Sequence, residues 1–146
     1  MKKNLILIGM MGVGKSTLGK ELAKKLNLKF IDTDSVIEKK CSMKISEIFE
    51  KKGEAFFRQK EEKEAIESIN TIESVIALGG GAFINKSIRN EVLKNSLSFW
   101  LDLNLKTINK RIKWTKKRPL INERNSILKI NKLYSERKNI YKLAKY

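Results

Sequence analysis

One proline and one cysteine stand among 146 residues, and histidine is absent altogether. The single thiol, Cys41, excludes an internal disulfide, and no histidine or second cysteine is present to make a zinc set with it. A reducing compartment, the cytoplasm, is the expected setting. Acidic residues are scarce, 16 against 32 Lys and Arg, which gives a formal charge of +16. An excess of that sign can serve nucleic acid or an anionic membrane surface. Here the lysines are spread over nearly every segment, and no interleaved aromatic–basic motif accompanies them, so neither partner is expected. The field should instead attract small anionic substrates. No apolar stretch approaches the ~20 residues of a membrane span. Met1-Lys2-Lys3 and the apolar run behind it imitate a secretory leader, but the run passes straight into Gly14-Lys15-Ser16 with no small-residue cleavage site.

What is present is a stretch of nine residues, Gly9-Met10-Met11-Gly12-Val13-Gly14-Lys15-Ser16-Thr17, lying between an apolar run and a helical pattern. It contains G-x-x-x-x-G-K-S. Gly12 and Gly14 let the backbone turn and approach an anion closely, so that the N–H groups of Gly12, Val13, Gly14, Lys15, Ser16 and Thr17 form a phosphate-sized nest. Lys15 supplies a point charge for the outer phosphates, and the Ser16 hydroxyl is a hard oxygen ligand for Mg²⁺. The helix that starts here turns its positive end to the same anion. This is a phosphate-binding loop for a nucleoside triphosphate such as ATP.

Apolar content of 41% and a length of 146 residues suit one α/β domain, 1–146. Residues 4–8 read as a strand buried on both faces, as in a parallel sheet. A helix follows over residues 15–26, with Leu18, Leu22 and Leu26 expected on the sheet side, and Asn27 breaks it. Residues 28–31 form a second strand that runs into Asp32-Thr33-Asp34. Three helical pieces fill residues 35–70, divided at Gly53, a glycine placed for a left-handed helix end. A third strand over residues 74–78 ends in Gly79-Gly80-Gly81. Ile88, Val92 and Leu93 mark a helix, residues 97–103 a fourth strand, and Asn104 a cap for the helix after it. Residues 113–125 are polar and cationic, a candidate lid, and a last helix runs from Ser126 towards Ala144. The pattern is a three-layer α/β sandwich with a parallel sheet.

In an open parallel sheet ligands bind beyond the carboxyl ends of the strands. Asp32 and Asp34 fall there, beside the phosphate loop. Two carboxylates two apart on extended chain point to opposite sides, one towards a metal and one towards a phosphoryl acceptor. The glycine triplet ends a neighbouring strand and lets backbone N–H groups approach a substrate.

The set as a whole resembles the shikimate kinase family of small phosphate-loop kinases. The resemblance rests on the loop at residues 9–17, Asp32-x-Asp34, Ile45-Ser46-Glu47-Ile48-Phe49 with Gly53-Glu54, and Phe57-Arg58-x-x-Glu61. It continues through Leu78-Gly79-Gly80-Gly81-Ala82, Arg118-Pro119-Leu120 and Arg137-x-x-x-Tyr141-x-x-Ala144. It implies transfer of the γ-phosphoryl of ATP to the 3-hydroxyl of shikimate, by a monomer, in the route to chorismate and the aromatic amino acids. It further implies that Asp34, Arg58, Gly80 and Arg137 bind shikimate, with Gly79 and Gly81 flanking. Ser16 would ligate Mg²⁺, Asp32 would hold it through water, Arg118 in the lid would reach the transferring phosphate, and Arg111 would stack near adenine. The chemistry agrees: a carboxylate bearing three hydroxyls calls for Arg forks and an Asp.

Two departures from the family pattern stand out. Asn139 replaces a proline usual two residues before the final Tyr. The family's strand order, 2-3-1-4-5, includes a fifth strand, and the chain reaches Tyr146 before that segment. An open edge of unpaired backbone along residues 98–101 is therefore expected. Other readings are a different small-molecule phosphate-loop kinase, of gluconate type, and a truncated, inactive nucleotide-binding module. Asp-x-Asp with Phe-Arg-x-x-Glu argues against the first, and the intact loop and carboxylates against the second.

Overall fold

The computed structural model describes residues 3–113 and 126–146. In chain order the elements are β1 (Asn4–Ile8), α1 (Lys15–Leu26), β2 (Lys29–Asp32), α2 (Thr33–Cys41), α3 (Ile45–Lys52) and α4 (Glu54–Ile69). They continue with β3 (Ser74–Ala77), a 3-10 turn (Ala82–Ile84), α5 (Lys86–Asn95), β4 (Ser96–Trp100), α6 (Leu105–Lys113) and α7 (Ser126–Tyr141). The expected lid at 113–125 lies, past its first residue, outside the described residues, and Arg118 with it.

The strands form one sheet in the order β2-β3-β1-β4, with every pairing parallel. The alternation of strand side chains divides the core into layers. Ile6, Ile8 and Ile76 face a large cluster with Ala65, Ile88, Val92, Ile108, Ile130 and Tyr141, contributed by α4 to α7. Leu7 and Val75 face the other way, onto Ala23 of α1 with Leu22 and Phe30. Helices α2 and α3 close a smaller core of their own, Ile37 and Ile48 against Phe57 of α4. The three-layer sandwich is therefore as expected, with the α2–α3 pair set apart on its own packing.

Four details differ from the expectation. Leu18 and Leu26 are 43% and 47% exposed, and the buried residues of α1 are Gly19 and Ala23. The reason is Phe30: a β-carbon on Gly19 would lie 2.4 Å from its ring, so the helix turns its smallest residue to the sheet and packs more closely than leucines allow. Gly53 has the expected positive φ, 85°, but an extended ψ of 167°, because it ends α3 and also begins α4. The fourth strand stops at Trp100: Leu101 N–H still donates to the Ile8 carbonyl at 2.8 Å, but its own carbonyl lies over Gly9, 2.6 Å from where a β-carbon would sit.

The β4 edge is the fourth. It is not bare at its centre: Trp100 N–H donates to the Tyr146 carbonyl at 2.8 Å and Tyr146 N–H donates to the Ser98 carbonyl at 3.0 Å. That is the bonding of a one-residue parallel bridge, with the Tyr146 ring stacked on Phe99, centroids 5.1 Å apart. The backbone groups expected to be unpaired at Ser98 and Trp100 on this edge are satisfied.

Gly19→Ala tests the packing of α1. Alanine is the better helix former by about 1 kcal/mol, but its methyl must displace Phe30. The expected outcome is a net loss of about 1–3 kcal/mol, as for other overpacked sites, read as a lower urea midpoint at unchanged m-value; a gain in stability would show that Phe30 yields freely.

Candidate active site

Helix α1 begins without a capping side chain. Its N-cap is Gly14, at φ 98°, which has no side chain to cap the helix. A helix start of this kind suits an anion, which is what the motif requires. Gly12, at φ 79°, makes the turn before it. Lys15 Nζ donates to the carbonyls of Gly9 and Met10, both at 2.8 Å, and so lies across the loop it serves. Arg111, from α6, places Nη1 3.3 Å from the Gly12 carbonyl and 3.2 Å from that of Val13, which puts its guanidinium on the rim of the loop.

Beside the loop, the Ser16 hydroxyl donates to Asp32 Oδ2. Asp32 is the last residue of β2 and also the N-cap of α2: its Oδ1 accepts from Ser35 N–H at 3.2 Å. Asp34 therefore lies in the first turn of α2 and not on extended chain. The two carboxylates diverge because one ends a strand and the other has entered a helix, which corrects the alternation argument while keeping its result. A serine hydroxyl and a carboxylate in contact at a phosphate loop are hard oxygen donors suited to Mg²⁺, which keeps several waters and phosphate oxygens of its own. No group of three or more Asp, Glu or Cys that could hold a metal is present among the described residues.

The glycine triplet is where the remaining side chains meet. A β-carbon on Gly79 would lie 2.6 Å from Asp34 Oδ1 and 3.1 Å from Glu61 Oε2. One on Gly81 would lie 2.7 Å from Arg58 Nη1. One on Gly80 would lie 3.6 Å from Arg137 Nη1 and 3.3 Å from Met11 N of the phosphate loop. The triplet thus gathers Asp34 of α2, Arg58 and Glu61 of α4 and Arg137 of α7, next to the nucleotide loop. Arg58 Nη1 donates to Glu61 Oε1 at 2.8 Å, and its Nη2 donates to Glu54 Oε1 at 3.3 Å. Arg137 is buried, and its Nη1 has no hydrogen-bond partner among the described residues. A buried guanidinium with an unused donor can serve a further acceptor, in addition to the Glu61 charge it already faces.

A model of the shikimate kinase family matches residues 11–146. A shikimate kinase of Sulfurihydrogenibium sp. (strain YO3AOP1) is 47% identical over 142 residues, covering 97% of this chain and 84% of that relative. The chain belongs to the shikimate kinase family. A shikimate kinase of Bacillus subtilis (strain 168) is 46% identical over 143 residues, covering 96% of this chain and 76% of its own length. Among solved structures, the shikimate kinase from Acinetobacter baumannii in complex with shikimate superposes with a TM-score of 0.96 at 33% identity, over 100% of this chain and 82% of that one. The shikimate kinase from Aquifex aeolicus gives 0.84 at 34%, over 97% of this chain and 83% of that one. A gluconokinase from Sinorhizobium meliloti 1021 gives 0.58 at 13% identity, over 90% of this chain and 74% of that one, a likeness of fold alone.

Of the residues singled out in the sequence of this shikimate kinase family member, the fold brings Gly12 to Thr17, Asp32, Asp34, Arg58, Gly79, Gly80, Gly81, Arg111 and Arg137 to one end of the sheet. Arg118 lies outside the described residues. Three further residues belong to the site. Glu61 and Tyr141 stand in quoted motifs to which the sequence assigned no role, and Thr33, between the two aspartates, drew no notice. Glu61 is 2% exposed. Burial raises its carboxyl above the usual carboxylate range; the Arg58 and Arg137 cations oppose that rise, and Asp34 adds to it. Arg58 is drawn down by burial, but Glu61 and Glu54 outweigh this, so it stays firmly charged.

The sign for stability follows from linkage. A carboxyl raised in the fold contributes stability that is complete below its unfolded value and is lost as pH rises through its folded value. Glu61→Gln, which does not titrate there, removes that dependence. Wild type should therefore gain in Tm relative to Glu61→Gln as the pH is lowered from neutral into the acid range. A relative loss of Tm by wild type on acidification would mean that Arg58 holds Glu61 below, not above, its ordinary value.

Proposed function

We propose that this protein is a shikimate kinase, a single-domain monomer of the cytoplasm that transfers the γ-phosphoryl of ATP to the 3-hydroxyl of shikimate. The observation that carries the reading is the convergence of Asp34, Arg58 with Glu61, and Arg137 on the glycine triplet, within contact distance of the phosphate loop. A carboxylate substrate suits the two guanidinium groups, and its hydroxyls suit Asp34. No helix among the described residues is long and apolar enough to cross a membrane.

Each part of the site has a task. The uncapped start of α1 and the loop N–H groups from Gly12 to Thr17 hold the phosphates. Lys15 leaves the Gly9 and Met10 carbonyls to follow the charge that builds on the transferring group. Ser16 and Asp32 would hold Mg²⁺, which when bound neutralises charge on the β- and γ-phosphate oxygens. Arg58, steadied by Glu61, and Arg137 fix the substrate carboxylate. Asp34 orients the 3-hydroxyl and takes its proton as that oxygen bonds to the γ-phosphorus and the bond to ADP breaks. The family resemblance gives Arg118 the transferring phosphate, and Arg111 flanks the adenine from the rim of the loop. No partner beyond the two small-molecule substrates is required, neither nucleic acid nor membrane.

Coupled ADP release tests this directly. Shikimate should support turnover and gluconate should not; turnover with gluconate alone would move the protein to the gluconate type. Three variants separate the roles. Lys15→Ala should abolish turnover with the fold intact, since transition-state charge goes uncompensated. Asp34→Asn should lower kcat by at least about a hundredfold, in the range of general-base losses. Arg58→Ala should instead raise the shikimate KM at least tenfold, matching the ~1.5–3 kcal/mol of a charge-assisted pair. An unchanged KM in that variant would remove Arg58 from the carboxylate.

A further inference from the structure

Two buried hydroxyls bond to the backbone of the glycine triplet, and neither belongs to a residue that would touch substrate. Thr33, the first residue of α2, is 0% exposed. Its Oγ1 accepts from Gly79 N–H at 3.1 Å and faces the Ala77 carbonyl at 3.4 Å, at the end of β3. Tyr141, the last residue of α7, is also 0% exposed. Its hydroxyl donates to the Gly80 carbonyl at 2.5 Å and lies 3.8 Å from Met10 Sδ of the phosphate loop. Its ring packs near Trp100, centroids 6.0 Å apart.

The neighbours of these two residues give the bonds their meaning. Asp34 follows Thr33 directly in the first turn of α2, and Arg137 precedes Tyr141 by one turn on the same face of α7. Helix α2 packs Ile37 on the small core with Ile48 and Phe57, and Val36 against the large one. Gly79, Gly80 and Gly81 have no side chains of their own to pack, so their position depends on what holds their N–H and C=O groups. One hydroxyl holds the triplet from α2 and the other from α7, at successive residues. An unsatisfied buried N–H or carbonyl here would also be costly.

We propose that Thr33 and Tyr141 are positioning residues which pin the Gly79–Gly80 backbone between α2 and α7, and so set the aim of Asp34 and Arg137 at the substrate. The inference rests on the shikimate-binding reading of that site. Wild-type ADP release with shikimate is therefore measured first: its absence overturns that reading, whereas unaffected variants of an active wild type overturn only this inference.

Thr33→Val keeps the shape and removes the hydroxyl, Thr33→Ser keeps the hydroxyl, and Tyr141→Phe removes only the oxygen. Thr33→Val and Tyr141→Phe should each raise the shikimate KM by about tenfold, the effect of one ~1.4 kcal/mol contact. Thr33→Ser should stay near wild type. The KM for ATP should hold within about twofold in all three, because the phosphates are held by α1 and its loop; a general loss of structure would move both substrates together. The double variant Thr33→Val/Tyr141→Phe should fall short of the product of the single effects, because both bonds hold one loop. Should Thr33→Val fail to fold, Tyr141→Phe carries the same comparison of the two KM values. Wild-type shikimate KM in Tyr141→Phe, parallel rises for ATP and shikimate, a Thr33→Ser as impaired as Thr33→Val, or fully multiplicative effects would each overturn the clamp.

Discussion

Three absent β-carbons at the end of β3 govern the active end of this molecule. A methyl group would crowd Asp34 and Glu61 at Gly79 and Arg58 at Gly81, and at Gly80 it would press on the backbone of the phosphate loop, with Arg137 in ordinary contact beside it. Two carboxylates and two guanidinium groups from three helices reach one small volume because the backbone between them carries nothing. Gly80 also faces Met11 N of the phosphate loop. The same lack of side chains therefore brings the phosphate loop next to the side chains gathered at the triplet, and positioning of this kind can account for much of a transfer rate.

Charge is concentrated there against an unusual background. A chain of net charge +16 surrounds a site whose internal balance depends on Glu61, a buried carboxylate bonded to Arg58. The pair is a support and not a source of stability: burial alone disfavours Glu61 as an anion, and Arg58 offsets that cost. In return, one guanidinium on a surface-facing helix is locked in direction before any substrate arrives. Arg137 is prepared differently, by burial without a partner for Nη1. One cation is bonded directly to a protein anion, and the other meets the Glu61 charge only through space.

Much of this was legible in the chain. The phosphate loop is local, with strand, glycines, lysine and helix contiguous in sequence, and the fold reproduces it residue for residue. The parallel sheet followed from uninterrupted apolar strands separated by helices, and the strand order from the family resemblance. Contacts that depend on distant residues were not legible. The packing face of α1 is set by Phe30 against Gly19, which leucine spacing does not reveal. Thr33 and Tyr141 are 108 positions apart in sequence by their numbers, and their shared attachment to one loop exists only in three dimensions. The pairing of Tyr146 with β4 was hidden for the same reason, because a single strand residue has no periodicity to read.

Asp32 shows why the boundary between the two half-sites is drawn where it is. Its two carboxylate oxygens are divided: Oδ1 caps α2 through Ser35, and Oδ2 receives the Ser16 hydroxyl at the start of α1. One residue thereby joins the helix that begins the nucleotide site to the helix that begins the acceptor site, at the open end of β2. A cation held between Ser16 and Asp32 would engage Oδ2, directly or through water, and leave the Oδ1 cap intact. Helix α2, with Asp34 in its first turn and Thr33 bonded to Gly79, would then keep its place as the nucleotide site fills. Had Asp34 been the cap instead, its carboxylate would have been spent on backbone N–H groups and lost to the role proposed for it. The spacing Asp-x-Asp puts the cap immediately before the helix and the second carboxylate in its first turn, so that the two do not compete for the same bonds.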